Sequence, residues 1–306
     1  LEHSFLDNSV LNVGFSINSD SQQSKRFEIE KLSKEFSVRG YSSRLIGAYE
    51  QTAVDYFSQS INDITINISG YPTDTHCRYL IAQESQGSKT LNNTHSSLIA
   101  ANKMLMYLKI RSQNILTPKT IDLNPRMWGM NLNDSIEQRI GAVIGYPCVI
   151  KIPNLGMGLG VYKVDSEIQC RDLLALLKCV NNSSPQNLMY ANLLAQEFIS
   201  ESAGRAVRVI VLNNEPLGAF LKTSNTWKIS GLEGERSRYT MSDELYNISA
   251  TISKLFDLGF CGIDYHLSNR GYMIGEINIS PQFSVFDNLY PNIDIAKRIV
   301  EYLILK

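Results

Sequence analysis

Four groups of residues in this sequence have the types and spacing for chemistry. Lys151 ends an apolar run and is followed by the turn Asn154-Leu155-Gly156-Met157-Gly158-Leu159-Gly160. Glycines let backbone N–H groups approach phosphate oxygens with no Cβ in the way, and a lysine adds countercharge. A tight structural hairpin accounts for the glycines equally well, and no G-K-[ST] follows to make a Walker A loop. Asp264 and the triplet Glu276-Ile277-Asn278 form the second group. Glu276 and Asn278 are two apart and share one face of a strand. Two carboxylates and an amide suit Mg²⁺ that also touches nucleotide phosphates. The apolar neighbours Ile263, Ile274 and Ile277 argue against a merely solvent-facing hairpin. Gln196-Glu197-Phe198-Ile199 is the third, where a glutamate can accept from an adenine amino group while the backbone reads the ring edge; an exposed acid at a strand end is the plain alternative. The fourth is Arg208 inside Val207-Arg208-Val209-Ile210-Val211. An arginine there needs an anionic partner: a phosphate, a substrate carboxylate or a structural glutamate.

The elements that must position these residues follow from periodicity. Up to about Asn93, strand-like runs at Leu11–Ile17, Tyr41–Ile46 and Ile64–Ile68 alternate with helical stretches such as Ser24–Val38, the pattern of a small parallel α/β domain. Lys25, Arg26, Lys31 and Lys34 read as a solvated helix face. Ser96 to Arg111 reads as one helix burying Ile99, Leu105 and Leu108. Tyr146 to Lys151, a strand entered through Pro147, and Val161 to Val164 flank the glycine turn, Ser166 to Val180 is a serine-capped helix, and Leu193 to Ile199 a strand. Arg205–Leu212 and Leu217–Leu221 pair through Asn213-Asn214. Ser242–Leu258 is a helix ended by Gly259, Phe260–Leu267 and Tyr272–Asn278 form a hairpin, and Ile293–Leu305 is an amphipathic helix. The expected division is residues 5–93, 94–199 and 200–306.

Composition narrows the field without naming an activity. The chain has 306 residues, 43% apolar and 19% charged, with 29 Lys and Arg against 30 Asp and Glu. That is globular chemistry with no basic excess for nucleic acid or an anionic membrane. The five cysteines are scattered with no C-x-x-C pair. They read as reduced thiols and point to a cytoplasmic protein. No apolar run is long enough to span a bilayer.

Taken in order, these signals resemble the ATP-grasp superfamily. The order is a helix lysine (Lys103), a proline-entered strand with Lys151, a glycine hairpin, Q-E-F-I, an in-strand arginine, G-I-D and E-I-N-I-S-P. The chain looks most like the RimK-type branch of ribosomal-protein glutamate ligases and amino-group-carrier ligases, from about Ser96 to its end. The resemblance implies an α/β (α+β) ATP-grasp fold, in which a small N-terminal domain precedes two lobes that clamp ATP. It implies that Lys103 and Lys151 hold ATP phosphates, and that Gly156, Met157, Gly158 and Gly160 belong to the loop that covers them. Gln196, Glu197, Phe198 and Ile199 would form the adenine hinge. Asp264, Glu276 and Asn278 would be Mg²⁺ ligands, with Mn²⁺ as a substitute. Arg208 would steady an acyl phosphate. The implied reaction joins a carboxylate to an amine with release of ADP and phosphate; the alternative is a non-catalytic or diverged ATP-binding module of the same fold. The reaction's substrates would be small acids and amines, amino acids foremost, or an acceptor peptide. Homo-oligomers are common in the family. The chain departs from the pattern at Ala206, where an aspartate is usual, at Leu159, where Lys or Arg is usual, and over Trp227 to Glu235. There Ser230 and Glu233 replace the usual Asn and Arg, and Lys228 and Arg236 offer replacement charge.

Overall fold

In the computed structural model of the chain, described residues are 11–17, 23–47, 56–58, 60–69, 74–123, 135–153, 155, 158–183, 193–229 and 234–305. Strands β1 (Asn12–Ser16), β2 (Ser42–Ile46), β3 (Ile64–Asn67) and β4 (Lys89–Leu91) form a parallel sheet in the order β2-β1-β3-β4. Helix α1 (Arg26–Val38) crosses from β1 to β2, and α2 (Asp74–Ser85) from β3 to β4. The near-continuous burial of β1 and β3 is what a sheet covered on both faces requires.

The stretch Ser96 to Arg111, expected as one helix, is two: α3 (Thr94–Ala101) and α4 (Lys103–Arg111). Asn102 breaks them. Its backbone is extended, and its side-chain oxygen accepts from the N–H groups of Met104 and Leu105. This is an N-cap, and it resets the helical phase. Met106, Tyr107 and Ile110 are therefore buried, whereas Leu105 and Leu108, expected inside, are exposed. The cap also fixes Lys103 in the first turn of α4. Replacing Asn102 with alanine is expected to cost about 1 kcal/mol, read as a lower denaturation midpoint at unchanged m-value.

Strands β5 (Thr120–Leu123), β6 (Cys148–Lys151), β7 (Val161–Val164) and β8 (Leu193–Glu197) form an antiparallel sheet ordered β5-β8-β6-β7. Helices α5 (Ile136–Val143) and α6 (Glu167–Ser183) cover it, and Ile140, Cys148, Ile150, Cys170 and Ala195 lie in its core. A second antiparallel sheet holds β9 (Arg205–Leu212), β10 (Glu215–Thr223), β11 (Arg236–Tyr239), β12 (Phe260–Ser268) and β13 (Gly271–Asn278), ordered β11-β10-β9-β12-β13. Asn213 and Asn214, both at positive φ, make the β9–β10 turn. Helix α7 (Asp243–Phe256) ends at Asp257 in the left-handed conformation, two residues before the expected Gly259.

The cores do not divide as the chain does. One face of the second antiparallel sheet packs on the N-terminal domain. Phe15, Leu32, Phe36 and Ile66 share a cluster with Ile210, Phe220, Phe260 and Phe283, and with Ile299 and Leu303 of α8 (Ile295–Leu305). The other face packs on α7 and on α3 and α4, through Ala100, Met106, Tyr107 and Ile110. The helices at 94–111, placed with the middle region from sequence, thus share the C-terminal core. The β5–β8 lobe keeps a core of its own.

Candidate functional site

The site lies where the β5–β8 lobe faces β9–β13. From the lobe comes Lys151, the last residue of β6, 9% exposed. Its Nζ donates to Gln196 Oε1 at 2.5 Å, and Gln196 Nε2 donates to Thr120 Oγ1. Burial, then the charge of Lys103 beside it, lowers the Lys151 pKa to about 8 against the opposing charge of Glu276. From α4 comes Lys103, 6% exposed, whose Nζ donates to Leu155 O at 2.7 Å and lies 3.8 Å from Glu276 Oε2. Tyr107, one turn on, donates to Gly275 O and Gln196 Oε1, tying α4 to both sheets.

Antiparallel register assembles the other side. Asp264 on β12 stands opposite Arg208 on β9 and opposite Glu276 on β13, and Asn278 stands opposite Gly262. A bulge follows the Asp264–Glu276 pair, at Gly275. A Cβ there would meet His266 Nε2 at 3.0 Å and Asp264 O at 3.3 Å, so glycine permits the bend. Arg208 grips Asp264 in a fork, Nε to Oδ1 at 2.6 Å and Nη2 to Oδ2 at 2.7 Å. Lys222 on β10 adds a third contact, Nζ to Oδ2 at 2.7 Å. Burial alone would raise the Asp264 carboxyl, but the charges of Arg208 and Lys222 outweigh it and hold it well below the usual carboxylate range. Lys222 is itself lowered, by burial and then by Arg208.

The sequence reasoning missed Lys222 and His266. Lys222 sits in Ala219-Phe220-Leu221-Lys222, and the logic that singled out Arg208 would have found it. Lys222 and His266 stand opposite Ala206 on its two sides, two residues along β9 from Arg208. Burial, then Lys151 nearby, pushes the His266 pKa down to about 4, so the imidazole is neutral at pH 7. The absence of an acid at residue 206 leaves Asp264 as the buried carboxylate among these cations.

At the expected adenine hinge, Glu197 N donates to Lys119 O at 2.8 Å, Glu197 Oε2 accepts from Lys119 N, and Oε1 pairs with Arg270 at 2.5 Å. Phe198 turns toward Trp227, ring centroids 5.9 Å apart, with Lys163 over its face; Ile199 is buried. Of the glycine loop, Gly158 and Gly160 both take positive φ, and a Cβ at Gly160 would strike Ile152 at 2.8 Å. Gly156, Met157, Ser230 and Glu233 lie outside the described residues. Leu159 is exposed, Lys228 Nζ reaches Val161 O at 3.5 Å, and Arg236 lies near enough to Arg208 to feel its charge.

The donor set suits a hard divalent cation. Asp264 has used three of its roughly four acceptor positions. Glu276 has only long contacts, 3.4 Å from Asn278 Nδ2 and 3.8 Å from Lys103, and Asn278 Oδ1 has no partner among the described residues. All-oxygen ligands with room for water and phosphate are what Mg²⁺ takes.

Comparison with known proteins gives a consistent set. The sequence pattern of the RimK-like ATP-grasp domain matches residues 107–303. A protein of Saccharophagus degradans named probable alpha-L-glutamate ligase is 30% identical over 205 residues, 64% of this chain and 62% of that one, so the chain spans less than two thirds of that relative's length. Probable alpha-L-glutamate ligase 2 of Pseudoalteromonas atlantica is 25% identical over 266 residues, 86% of this chain and 81% of that one. Among solved structures, a RimK domain ATP-grasp protein from Sphaerobacter thermophilus superposes with a TM-score of 0.70 at 18% identity, covering 96% of this chain and 99% of the other. D-cycloserine synthetase DcsG gives 0.72 at 13% identity, covering 95% and 98%. The ATP-grasp ligase PsnB, bound to a variant of its minimal precursor, Mg and ADP, gives 0.67 at 17% identity, covering 96% and 97%.

Proposed function

The chain belongs to the RimK-like ATP-grasp family, and on that premise we propose that it is an ATP-dependent ligase joining a carboxylic acid to an amine. The observation that carries this reading is the charge arrangement between the lobes. Four buried or half-buried cations, Lys103, Lys151, Arg208 and Lys222, face two carboxylates, Asp264 and Glu276. That excess suits a triphosphate accompanied by a divalent ion. Mg²⁺, or Mn²⁺ in its place, held by Asp264, Glu276 and Asn278 would supply countercharge to the phosphates. In the proposed roles Gly158 and Gly160 cover the phosphates with the rest of their loop, Gly156 and Met157. Gln196, Glu197, Phe198 and Ile199 line the adenine end.

A carboxylate oxygen of the acid attacks the γ-phosphorus, and the bond to the β–γ bridging oxygen breaks to release ADP. Lys151 and Lys103 offset charge on the transferring group, and Arg208 holds the acyl phosphate formed. The amine then attacks the acyl carbon, the bond to phosphate breaks, and the amine proton passes to solvent. No protein nucleophile takes part; the chain's contribution is position and preorganised charge. Amino acids are the proposed substrates, glutamate first, because the relatives above are named glutamate ligases. The buried thiols Cys148, Cys170 and Cys261 fit a reducing compartment, the cytoplasm. The test is product analysis with ATP, Mg²⁺ and the twenty amino acids singly and in pairs. The expected products are ADP and phosphate in step with amide formation; AMP and pyrophosphate, or nucleotide binding with no turnover for any pair, would overturn the reading.

A further inference from the structure

His266 has no task in the reaction proposed above, yet it stands in the middle of the site. Along β12, Ile263, Tyr265 and Leu267 point into the core under α7. Alternation therefore turns Asp264 and His266 together to the other face, with Arg208 and Lys222. The bulge at Gly275 lies on β13 and leaves this phase intact. The imidazole is half-buried, and its nitrogens have no hydrogen-bond partner among the described residues. Its neighbours in the sheet offer none. Ala206, opposite on β9, carries only a methyl group. Gly275, which the Nε2 edge of the ring approaches, has no side chain, and its carbonyl accepts from the Tyr107 hydroxyl. In either protonation state imidazole keeps an N–H to donate, and leaving such a donor unpaired away from water is costly.

Its place along β12 says which part of a ligand it meets. Asp264, two residues back and so about 7 Å away along the strand, marks the proposed metal and phosphate end. Past His266, Ser202 Oγ donates to Leu267 O, and Arg270 pairs with Glu197 at 2.5 Å. The far end of β12 thus meets the segment proposed for the base. Across the cleft, Tyr107 joins Gly275, beside the ring, to Gln196, which accepts from Lys151. A nucleotide with its phosphates at Asp264 and its base at Glu197 lays its sugar across His266. A ribose presents hydroxyls there, and an imidazole N–H is a fitting donor to one of them.

We propose that His266 is a specificity-determining residue of the nucleotide site, hydrogen-bonding a ribose hydroxyl and so telling ribonucleotides from deoxynucleotides. This rests on the placement of ATP in the ligase reading above. The test is calorimetric titration of the 306-residue chain, in Mg²⁺, with ADP, 2′-deoxy-ADP, 3′-deoxy-ADP and tripolyphosphate. In the parent, removing the hydroxyl that His266 reads weakens binding about 3- to 10-fold, the span of one net hydrogen bond. His266→Phe, which keeps a planar ring, weakens ADP by that factor and makes ADP and its deoxy forms equal. Binding of tripolyphosphate, which has no sugar, stays as in the parent. His266→Leu is expected to behave alike and covers the case in which the phenylalanine variant does not fold. A deoxy penalty that persists in the variants overturns the proposal and leaves His266 a spacer beside Gly275. So does a parent that binds all three nucleotides equally, or a variant that weakens tripolyphosphate as much as ADP. Turnover is scored apart, as ADP release from ATP with amino acids. A hydroxyl preference without turnover sinks the ligase reading and supports the proposal; turnover without the preference does the reverse. A parent that binds no nucleotide overturns both.

Discussion

Replacing Lys151 with methionine is expected to lower kcat/KM for ATP about 10³-fold, the scale lost when one preorganised charge is withdrawn from a transferring phosphoryl group. Its Nζ is buried between Gln196 Oε1 and the charges of Lys103 and Glu276. Methionine fills similar space, and Gln196 Oε1 keeps the Tyr107 hydroxyl, so the thermal midpoint should change little. The direction of the pKa shift adds a second readout. In the free protein Lys151 begins to lose its proton near pH 8, and a polyphosphate beside it favours the charged form. Nucleotide binding should therefore take up a proton near pH 8 to 9 and almost none at pH 6.5. The uptake is measured as the dependence of the calorimetric enthalpy on buffer ionisation, and it should vanish in the methionine variant. Equal uptake in parent and variant would assign the proton to another group.

Asp264→Asn should have the largest effect on stability. The substitution leaves Arg208 and Lys222 facing a neutral amide in a site where the carboxylate is 6% exposed, and breaking a buried pair from one side costs about 3–5 kcal/mol. Removing Lys222 as well, as Lys222→Met, relieves one of the two stranded charges, so the double variant should be more stable than the sum of the single losses predicts. Additive losses would mean that the contacts to Oδ2 carry no coupling. Turnover should be lost in both Asp264 variants, since Asp264 is also a proposed metal ligand.

The α/β elements were legible because alternation and helical period are properties of single segments, and the ATP-grasp architecture followed from the resemblance carried by the order of the motifs. Lys151, Arg208, Asp264, Glu276 and Asn278 could be picked out because charge inside apolar strands is conspicuous. What stayed hidden depended on relations between segments. Lys222 and His266 acquire meaning from strand register, which places them on either side of Ala206. The break at Asn102 is a choice between a local cap and continued helix, and periodicity favoured the helix. Lys25 is buried by residues some 255 positions away, so its surroundings could not be read from its neighbours in the chain.

The chain joins the β5–β8 lobe to the rest of the molecule at one edge. Thr120 pairs with Gln196, and Glu197 N donates to Lys119 O, so the chain enters and leaves the β5–β8 lobe through adjacent strands. Any rotation of the lobe would therefore pivot at this ribbon, against the contacts of Lys103 with Leu155 O and of Lys228 with Val161 O. Glu197 stands at the pivot, where displacement is smallest, and Lys151 lies farther out. The frame, made of the other two regions around their common core, carries Lys103, Arg208 and Asp264. Rotation about that joint would carry Lys151 further than Glu197, so the proposed base pocket would be disturbed less than the proposed phosphate end.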